Sequence, residues 1–237
     1  MPTFNGAFYI REQLESILAS PLVGEIVISD DGSSDDTLDI VRSIADARVR
    51  VVEGPRCGLI RNYEYLFSLA RGEYIFLADQ DDVWLPQKVE LMFSRMKDVD
   101  LVVSDCIVVD AALSVLHPSF FSIRKSAPGF LSNLWRNSYL GCCMAFRRTL
   151  LDNALPLPRA LPMHDWWLGL IAEAFGRVAF IDEPLVLYRR HGRNVSPTAE
   201  SSTASVLRRS VWRMNLLIAI LGRVLRSKLG CLGNRVY

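Results

Sequence analysis

The sequence predicts an α/β fold in which a mostly parallel sheet carries helices on both faces. Short apolar runs rich in β-branched residues alternate with segments whose apolar residues recur at helical spacing. Strands separated by single helices are typical of parallel sheets. Acidic clusters at residues 30–31 and 79–82 directly follow two of the apolar runs. Because ligands bind at the carboxyl ends of parallel strands, both clusters are expected to line one site.

The individual elements follow from local patterns. The predicted strands are residues 25–29, 49–52, 74–78, 101–104, 107–109, 178–181 and 185–188. Four predicted helices are marked by apolar residues at helical spacing: Ile10 with Leu14, Leu38 with Val41, Ile60 with Phe67, and Val89 with Phe93. Two further helices are predicted at residues 148–155 and 166–175. Ser33 and Asp36 have the spacing of a capping box, so they are expected to open the second helix. Residues 117–139 are predicted to form a long loop over the site.

The chain is predicted to comprise a catalytic unit, residues 1–196, and a tail, residues 197–237. A doubly wound domain normally has a buried strand before a turn such as that at Asn5, so the first strand is expected to be truncated or reduced to its last residues. Residues 201–237 contain seven Lys or Arg and no Asp or Glu, which predicts a basic amphipathic helix after a flexible linker. We expect this helix to contact an anionic membrane surface; packing on the catalytic unit and binding of a partner are the alternatives.

Composition excludes several classes of protein. Half of the 237 residues are apolar, enough for a substantial core, and the net charge of +1 argues against a nucleic-acid partner. The five cysteines are odd in number and lack C-x-x-C spacing, which argues against a disulfide framework and a zinc site. We therefore expect the catalytic unit to face a reducing compartment, the cytoplasm. The sequence shows no signal peptide and no apolar stretch long enough to cross a bilayer.

The acidic run at residues 79–82 is the leading candidate for a metal site. Asp79, Asp81 and Asp82 repel one another unless a cation or water offsets their charge. Mg²⁺ and Mn²⁺ combine carboxylates with phosphate oxygens, so the run could hold a metal together with a diphosphate. An acidic turn that caps the next helix is the alternative. Asp31 could accept a hydrogen bond from a pyrimidine base or a ribose hydroxyl, or could serve only in a turn.

Two later segments hold further candidates. Asp165 precedes Trp166 and Trp167, so it could be a partly desolvated base beside an aromatic platform for a sugar. Helix capping by the aspartate and core packing of the tryptophans are the alternatives. His191 could bind a metal or a phosphate, or could belong to a solvated basic loop.

Seven short motifs follow one another along residues 1–196. They are MPTFNG (1–6), SDDGS (29–33), RGEY (71–74), ADQDDVW (78–84), GCCM (141–144), MHDWW (163–167) and YRRHGRNVS (188–196). In this order and spacing they resemble the family 2 glycosyltransferases of GT-A fold. The last three motifs resemble the rhamnosyltransferase-like branch of that family.

The resemblance implies a role for each matching residue. The residues implied to bind the nucleotide-sugar are Pro2, Thr3, Asn5, Asp31, Asn62, Asp79 and Gln80. The implied metal ligands are Asp79, Asp81 and His191, with Asp81 the main one, and the implied general base is Asp165. The residues implied to lie near the acceptor or the transferred sugar are Asp82, Trp84, His164, Trp166 and Trp167.

The implied activity is inverting transfer of a sugar from a nucleotide-sugar, with Mg²⁺ or Mn²⁺ as cofactor. The first expected donor is dTDP-rhamnose, and UDP-linked hexoses are next. The expected acceptor is a saccharide or a lipid-linked molecule in cell-surface polysaccharide synthesis, reached at the cytoplasmic face of the membrane. The alternatives are a sugar nucleotidyltransferase, a receiver-like signalling domain and a non-catalytic sugar- or lipid-binding protein. A receiver domain would leave the segments around Asp165 and His191 unused.

Overall fold

The computed structural model describes residues 1–192 and 205–233, and it has the predicted α/β architecture. The strands are β1 (Pro2–Thr3), β2 (Ile26–Asp30), β3 (Val49–Glu53), β4 (Tyr74–Phe76), β5 (Val83–Trp84), β6 (Leu101–Val109), β7 (Val115–His117), β8 (Met144–Arg147) and β9 (Val178–Arg189). The helices are α1 (Ile10–Leu18), α2 (Thr37–Ser43), α3 (Leu59–Leu69), α4 (Lys88–Arg95), α5 (Phe120–Arg124), α6 (Phe130–Trp135), α7 (Leu151–Ala154), α8 (His164–Phe175) and α9 (Val206–Gly233). The predicted flexible linker and the end of the tail, residues 193–204 and 234–237, lie outside the described residues.

The strands form a three-stranded sheet and a six-stranded sheet. The first has the order β1-β2-β3 and is parallel, as predicted. The second has the order β4-β8-β6-β9-β5, with β7 beside β6. Its β6 and β9 are parallel, whereas the other pairs that the structure describes are antiparallel. The larger sheet is therefore mixed. The sequence did not predict this, because an apolar run indicates a buried strand but not its direction.

Two pairs of predicted strands are single long strands. β6 continues through Ser104 and Asp105, and β9 continues through Asp182 and Pro184. The register between β6 and β9 shifts on either side of Asp105, which marks a β-bulge or similar irregularity. Polar residues at these irregular positions interrupt the apolar pattern, so each strand resembles two shorter ones in the sequence.

The prediction of a long loop at residues 117–139 is wrong, because this segment contains α5 and α6. Phe120 is buried at the start of α5. The Asp105 carboxylate anchors α5 by accepting hydrogen bonds from the Ser119 hydroxyl and the Phe121 backbone N–H. The two helices have five and six residues, too few for a helical period to be recognised.

The predicted capping box at Ser33 and Asp36 is also wrong. The Asp36 side chain makes no capping hydrogen bond to α2 within the described part of the chain. Ser33 Oγ instead donates to Asp30 Oδ1 at 2.5 Å and accepts from the backbone N–H of Asn5 at 2.8 Å. Ser33 therefore joins the ends of β1 and β2 instead of opening the helix.

A large apolar cavity lies beside the acidic run. Its volume is about 590 Å³, and it lies between β2 and β4, with Ile26 and Phe76 among its lining residues. Its lining also includes Ala78 and Trp84, on either side of the run, but none of residues 79–82.

The tail forms the predicted helix, α9, which lies against α6 and α8. Leu216 and Ile220 are buried in the main core. Arg213 and Arg223 donate to backbone carbonyls of α6 and of the segment after α7. Of the alternatives for this helix, packing on the catalytic unit is therefore realised on its inner side. Among the described residues, no helix is long and apolar enough to cross a membrane.

Candidate active site

The acidic run follows β4, and its first and last carboxylates are held from two sides. The Tyr63 hydroxyl on α3 donates to Asp79 Oδ1 at 2.7 Å. The backbone N–H of Arg189 at the end of β9 donates to Asp82 Oδ1 at 2.9 Å. Asp82 is 1% exposed. The turn is therefore fixed between elements from distant parts of the chain.

Asp81 and His191 pair at the edge of the site. Asp81 Oδ2 lies 2.8 Å from His191 Nε2, and the two side chains are 15% and 12% exposed. The His191 ring stacks on Tyr9, with ring centroids 4.8 Å apart and planes inclined by 18°. Two of the three predicted metal ligands, 110 positions apart in the sequence, are thus brought together.

Burial and mutual repulsion change the acidity of the run. Burial first, and then the charge of Asp81, raise the pKa of Asp79 to about 6. The same two causes raise the pKa of Asp82 well above its usual value. Asp82 Oδ2 has no hydrogen-bond partner among the described residues. A nearby cation would favour the ionised form of both carboxyl groups.

Two buried basic side chains lie behind the run. Arg189 is 3% exposed; its Nε donates to the Asp81 backbone oxygen at 2.7 Å, and its guanidinium also binds the Glu12 carboxylate. Lys88 is 0% exposed and donates to the Cys142 carbonyl. Burial lowers the pKa of Lys88, while nearby acidic groups including Asp82 act against that shift. Both basic groups offset part of the repulsion between the carboxylates.

Two overlapping groups of side chains could hold a metal. The predicted ligands are Asp79, Asp81 and His191, whereas Asp79, Asp82 and Cys142 offer ligand atoms within 4.8 Å of one another. Burial raises the pKa of the Cys142 thiol well above its usual value, so its sulfur stays protonated. Mg²⁺ and Mn²⁺ prefer oxygen ligands. The carboxylates of the run, with His191 beside Asp81, therefore fit either cation better than a site that includes the thiol.

The predicted nucleoside side is organised by Asp30 at the end of β2. Its Oδ1 accepts from the hydroxyls of Thr3 at 3.0 Å and Ser33 at 2.5 Å, and its Oδ2 accepts from two backbone N–H groups. Asn5 has a φ of +49°, and its Oδ1 accepts from the Ser34 N–H at 2.9 Å. Thr3 and Asn5 therefore brace the ends of β1 and β2.

Asp31 points to the loop after β3. Its two carboxylate oxygens accept from the backbone N–H groups of Arg56 at 2.7 Å and Gly58 at 2.9 Å. Each oxygen keeps a second lone pair, so these bonds leave acceptor capacity for a ligand. Pro2, the neighbouring predicted contact, is buried in β1.

Gln80 and Asn62 bind backbone groups of the protein. Gln80 accepts from the Phe4 N–H at 2.9 Å and donates to the Phe4 carbonyl at 3.1 Å. A Cβ at Gly6 would lie 2.3 Å from Gln80 Oε1, so glycine makes room for this amide. Asn62 is 1% exposed and donates to the Ser29 carbonyl at 2.9 Å. Both amides therefore support the strand ends around the predicted donor site.

Asp165 lies in the first turn of α8 and is 4% exposed. Its Oδ1 accepts from the Trp166 N–H at 2.5 Å, and its Oδ2 accepts from the Gly141 N–H at 3.2 Å. Burial outweighs these two hydrogen bonds and, with the charge of Asp79, raises the pKa of Asp165 to about 7. A carboxyl group with a pKa near neutrality can accept a proton from a hydroxyl and release it again.

Tyr63 and His164 connect Asp165 to the acidic run. The His164 ring stacks on Tyr63 with centroids 3.7 Å apart, and the Tyr63 hydroxyl binds Asp79. Burial lowers the pKa of His164 to about 3, so its imidazole is neutral. Neither ring nitrogen has a hydrogen-bond partner in the part of the chain that the structure describes. Buried polar groups normally have partners, so a ligand or water is expected at His164.

The three tryptophans predicted near the sugar lie in the core. Trp84, Trp166 and Trp167 are 6%, 8% and 0% exposed. The Trp166 and Trp167 indoles donate to the carbonyls of Asn133 at 2.8 Å and Ala154 at 2.9 Å. This burial favours core packing, the alternative given for Trp166 and Trp167, over an aromatic platform for a sugar. Both neighbouring tryptophans can be buried because α8 is buried on all sides over its first nine residues.

Tyr9, Gln13 and Tyr63 also contact the candidate site, although their positions in the sequence did not predict this. Gln13 is 0% exposed, and its amide donates to the Asp79 carbonyl at 2.7 Å. It lies on the buried side of α1 with Ile10, so a polar residue at a core position was the one available signal. Tyr9 and Tyr63 have the pattern of ordinary packing residues, and only their tertiary contacts distinguish them.

The chain is similar to known sequences. Residues 1–155 match the family described as Glycosyl transferase family 2. The chain is 26% identical over 239 residues to the dTDP-rhamnosyl transferase RfbG of Shigella flexneri, a match that covers 90% of this chain and 81% of RfbG. The chain spans between 62% and 81% of the length of the curated relatives that match most of it.

Solved structures share the fold. S. aureus TarS 1-349 in complex with UDP-GlcNAc has a TM-score of 0.65 at 21% identity, covering 86% of this chain and 60% of that chain. The mannosyltransferase PcManGT from Pyrobaculum calidifontis in complex with GDP-Man and Mn²⁺ has a TM-score of 0.58 at 21% identity, covering 95% of this chain and 62% of that chain. These similarities confirm the predicted GT-A fold.

Proposed function

The chain belongs to glycosyltransferase family 2, and from this premise we propose that it is an inverting, metal-dependent glycosyltransferase with Asp165 as its general base. The observation that carries the proposal is the arrangement on either side of Tyr63. Its hydroxyl holds the acidic run, which suits a metal-bound diphosphate, and its ring packs beside the turn that carries Asp165. The charge of Asp79 contributes to the raised pKa of Asp165, so the two parts are within electrostatic reach.

In the proposed reaction, an acceptor hydroxyl loses its proton to Asp165. The hydroxyl oxygen forms a bond to the anomeric carbon of the donor sugar, while the bond from that carbon to the diphosphate oxygen breaks. The nucleoside diphosphate leaves. Because the attacking and leaving oxygens lie on opposite faces, the anomeric configuration inverts through a transition state of oxocarbenium character.

Asp81 and His191 are our proposed main metal ligands, with Asp79 beside them. When bound, Mg²⁺ or Mn²⁺ neutralises charge that develops on the leaving diphosphate. The Mn²⁺ complex of PcManGT supports a metal in a protein of the same fold. Neutral His164 can offer a hydrogen bond to a sugar hydroxyl from its buried edge.

Our first proposed donor is dTDP-rhamnose, and a UDP-linked hexose is the second. The match to RfbG supports the first, and the UDP-GlcNAc complex of TarS supports the second. Asp31 is the proposed partner of the pyrimidine base, close to Thr3 and Asn5. The proposed acceptor is a saccharide or a lipid-linked molecule in cell-surface polysaccharide synthesis.

We propose a cytoplasmic site of action because of the thiols. Four of the five cysteines, Cys57, Cys106, Cys142 and Cys143, are free. The sulfur atoms of Cys142 and Cys143 lie 4.0 Å apart without a bond. Free thiols of this kind fit a reducing compartment.

A donor-hydrolysis screen tests the proposed function. The purified chain is incubated with dTDP-rhamnose, UDP-glucose, UDP-GlcNAc and GDP-mannose, with Mn²⁺ or Mg²⁺ and with EDTA, and release of nucleoside diphosphate is measured. Release from at least one donor, loss of release in EDTA and recovery with added metal are expected. Neither turnover nor binding of any donor would contradict the proposal, and formation of a nucleotide-sugar from a sugar phosphate would indicate a nucleotidyltransferase instead.

A further inference from the structure

Helix α9 has one side fixed to the catalytic unit. Leu216 and Ile220 on this side are 0% and 2% exposed. Arg213 donates to the Trp135 carbonyl at 2.6 Å, and Arg223 donates to the Leu155 carbonyl at 2.7 Å. Two of the basic residues of α9, Arg213 and Arg223, therefore face the protein rather than an outer surface. The opposite side of α9 is the outward side.

The outward side of α9 carries an apolar stripe. Its members are Leu207, Val211, Met214, Ile218, Leu221 and Leu225, which are between 48% and 75% exposed. They recur every three or four residues, so they lie in one row along the helix. The row runs from Leu207 to Leu225, which is roughly 27 Å at the rise of an α-helix. A helix that is apolar on its outer as well as its inner side is expected to bury both sides against other groups.

Helix α6, which packs against α9, carries two further exposed apolar side chains. Trp135 and Leu131 of α6 are 70% and 77% exposed. The Arg213 guanidinium lies 4.1 Å from the centre of the Trp135 ring and so attaches this side chain to α9. Exposed tryptophan next to arginine is typical of protein surfaces at the level of lipid headgroups, because the ring has an apolar body and a polar N–H.

The charge around the stripe distinguishes between two possible binding partners, a second copy of this chain and an anionic membrane. Arg208, Arg226 and Lys228 are exposed beside it, and residues 201–237 contain no Asp or Glu. A second copy of this face would bring like charges together, which disfavours a dimer through α9. An anionic phospholipid surface would take the apolar stripe into its headgroup boundary and attract these basic side chains.

We propose that the outward face of α9 docks in the plane of an anionic phospholipid membrane. The helix lies in the interface and does not cross it, in keeping with the lack of a membrane-spanning helix among the described residues. α9 packs directly on α8, which begins with the turn that carries Asp165. Docking therefore places the membrane on the side of α9 opposite to the catalytic unit. It requires neither donor nor metal.

Vesicle sedimentation tests this docking without any substrate. The chain is mixed with vesicles of phosphatidylcholine alone, or of phosphatidylcholine and phosphatidylglycerol in equal parts. Binding to the mixed vesicles is expected, with little binding to phosphatidylcholine and weaker binding at high salt. The double variant Ile218→Glu, Leu221→Glu should bind roughly tenfold or more weakly, because each substitution removes an apolar side chain from the interface.

The matched control is Val115→Glu, Leu116→Glu on β7, which places the same charge at two residues that are 61% and 50% exposed. The control should bind the mixed vesicles within about twofold of the unmodified chain. Circular dichroism and light scattering verify folding and oligomeric state for each protein. Failure to bind mixed vesicles, equal loss in both double variants, or a dimer that only the α9 variant dissociates would each overturn the proposal. None of these results depends on glycosyl transfer.

Discussion

The aspartates that follow β2 and those around the acidic run differ in how their carboxylates are satisfied. Asp30 accepts from two hydroxyls and two backbone N–H groups, and both oxygens of Asp31 accept backbone N–H groups. Asp82, in contrast, is as deeply buried as Asp30 but keeps one oxygen without a partner among the described residues. The same residue type therefore stabilises the fold at one strand end and remains available to a ligand at the other.

This difference in hydrogen bonding indicates which buried carboxylates are ionised at a cost in folding free energy. Burial raises the pKa of Asp79 to about 6 and that of Asp165 to about 7. Raised pKa values of buried carboxyl groups that share one region are typical of functional sites. Asp30 thus supports the fold, Asp31 is the proposed contact to the base, and the second group is the part of the site expected to do chemistry.

The largest effect is expected at Asp165. Asp165→Asn removes the proposed base and should lower kcat by roughly 10²- to 10⁴-fold, while the donor Kd stays within about twofold. Rates are measured by release of nucleoside diphosphate and affinity by calorimetry. Asp39→Asn on the exposed side of α2 is the control and should leave both constants unchanged. Full activity of Asp165→Asn would place the base elsewhere.

The next effect is expected in metal binding. Asp81→Asn removes a carboxylate from the pair with His191, so the Mn²⁺ concentration for half-maximal activity should rise by roughly tenfold or more. A Mn²⁺ titration of activity in metal-depleted buffer measures this change. Asp39→Asn again serves as the control. An unaltered titration curve would remove Asp81 from the metal site.

Asp30, in contrast to these residues, should contribute to the free energy of unfolding. Asp30→Ala leaves several hydrogen-bond donors without an acceptor, so the free energy of unfolding should fall by about 2–3 kcal/mol. Urea unfolding followed by circular dichroism measures the change. Asp36→Ala is the control, because this exposed side chain makes no capping bond within the described residues, and its effect should stay within about 0.5 kcal/mol. Equal effects of the two substitutions would contradict a special role of Asp30 in stabilising the fold.

The last prediction concerns pH. Asp165 must be ionised to accept a proton, and its pKa of about 7 means that the protonated, inactive form dominates below neutrality. With metal held saturating, kcat/KM should therefore rise with pH and level off above about pH 7, with a loss of about tenfold per pH unit on the acid side. A rate profile that stays flat from about pH 5 to 8 would contradict this titration.

Local sequence patterns are sufficient to predict the α/β class, most strand positions and the placement of acidic residues at strand ends. They also indicate that α9 is a helix, because its apolar residues recur at helical spacing over a long stretch. They do not predict the mixed direction of the larger sheet. They also miss α5 and α6, which have too few residues for a periodic pattern. Strand direction and short helices depend on contacts with distant segments.

The candidate site shows the same division. Asp79, Asp81, Asp165 and His191 are recognisable in the sequence from their motifs. The inward packing of Trp166, the role of Tyr63 between Asp79 and His164, and the engagement of Gln80 with Phe4 are not recognisable there.

The sequence by itself determined which side chains could carry charge and where along the chain they follow a strand. Only the tertiary structure decided what surrounds them. Asp30 and Asp82 are both aspartates near strand ends. The Asp30 carboxylate accepts hydrogen bonds from β1 and from the loop after β2. Asp82 accepts one backbone N–H from β9, and its second oxygen has no hydrogen-bond partner among the described residues. Hydrogen-bond satisfaction and desolvation are set by groups that are far away in sequence, and these two quantities determine whether a buried carboxylate supports a fold or serves a reaction.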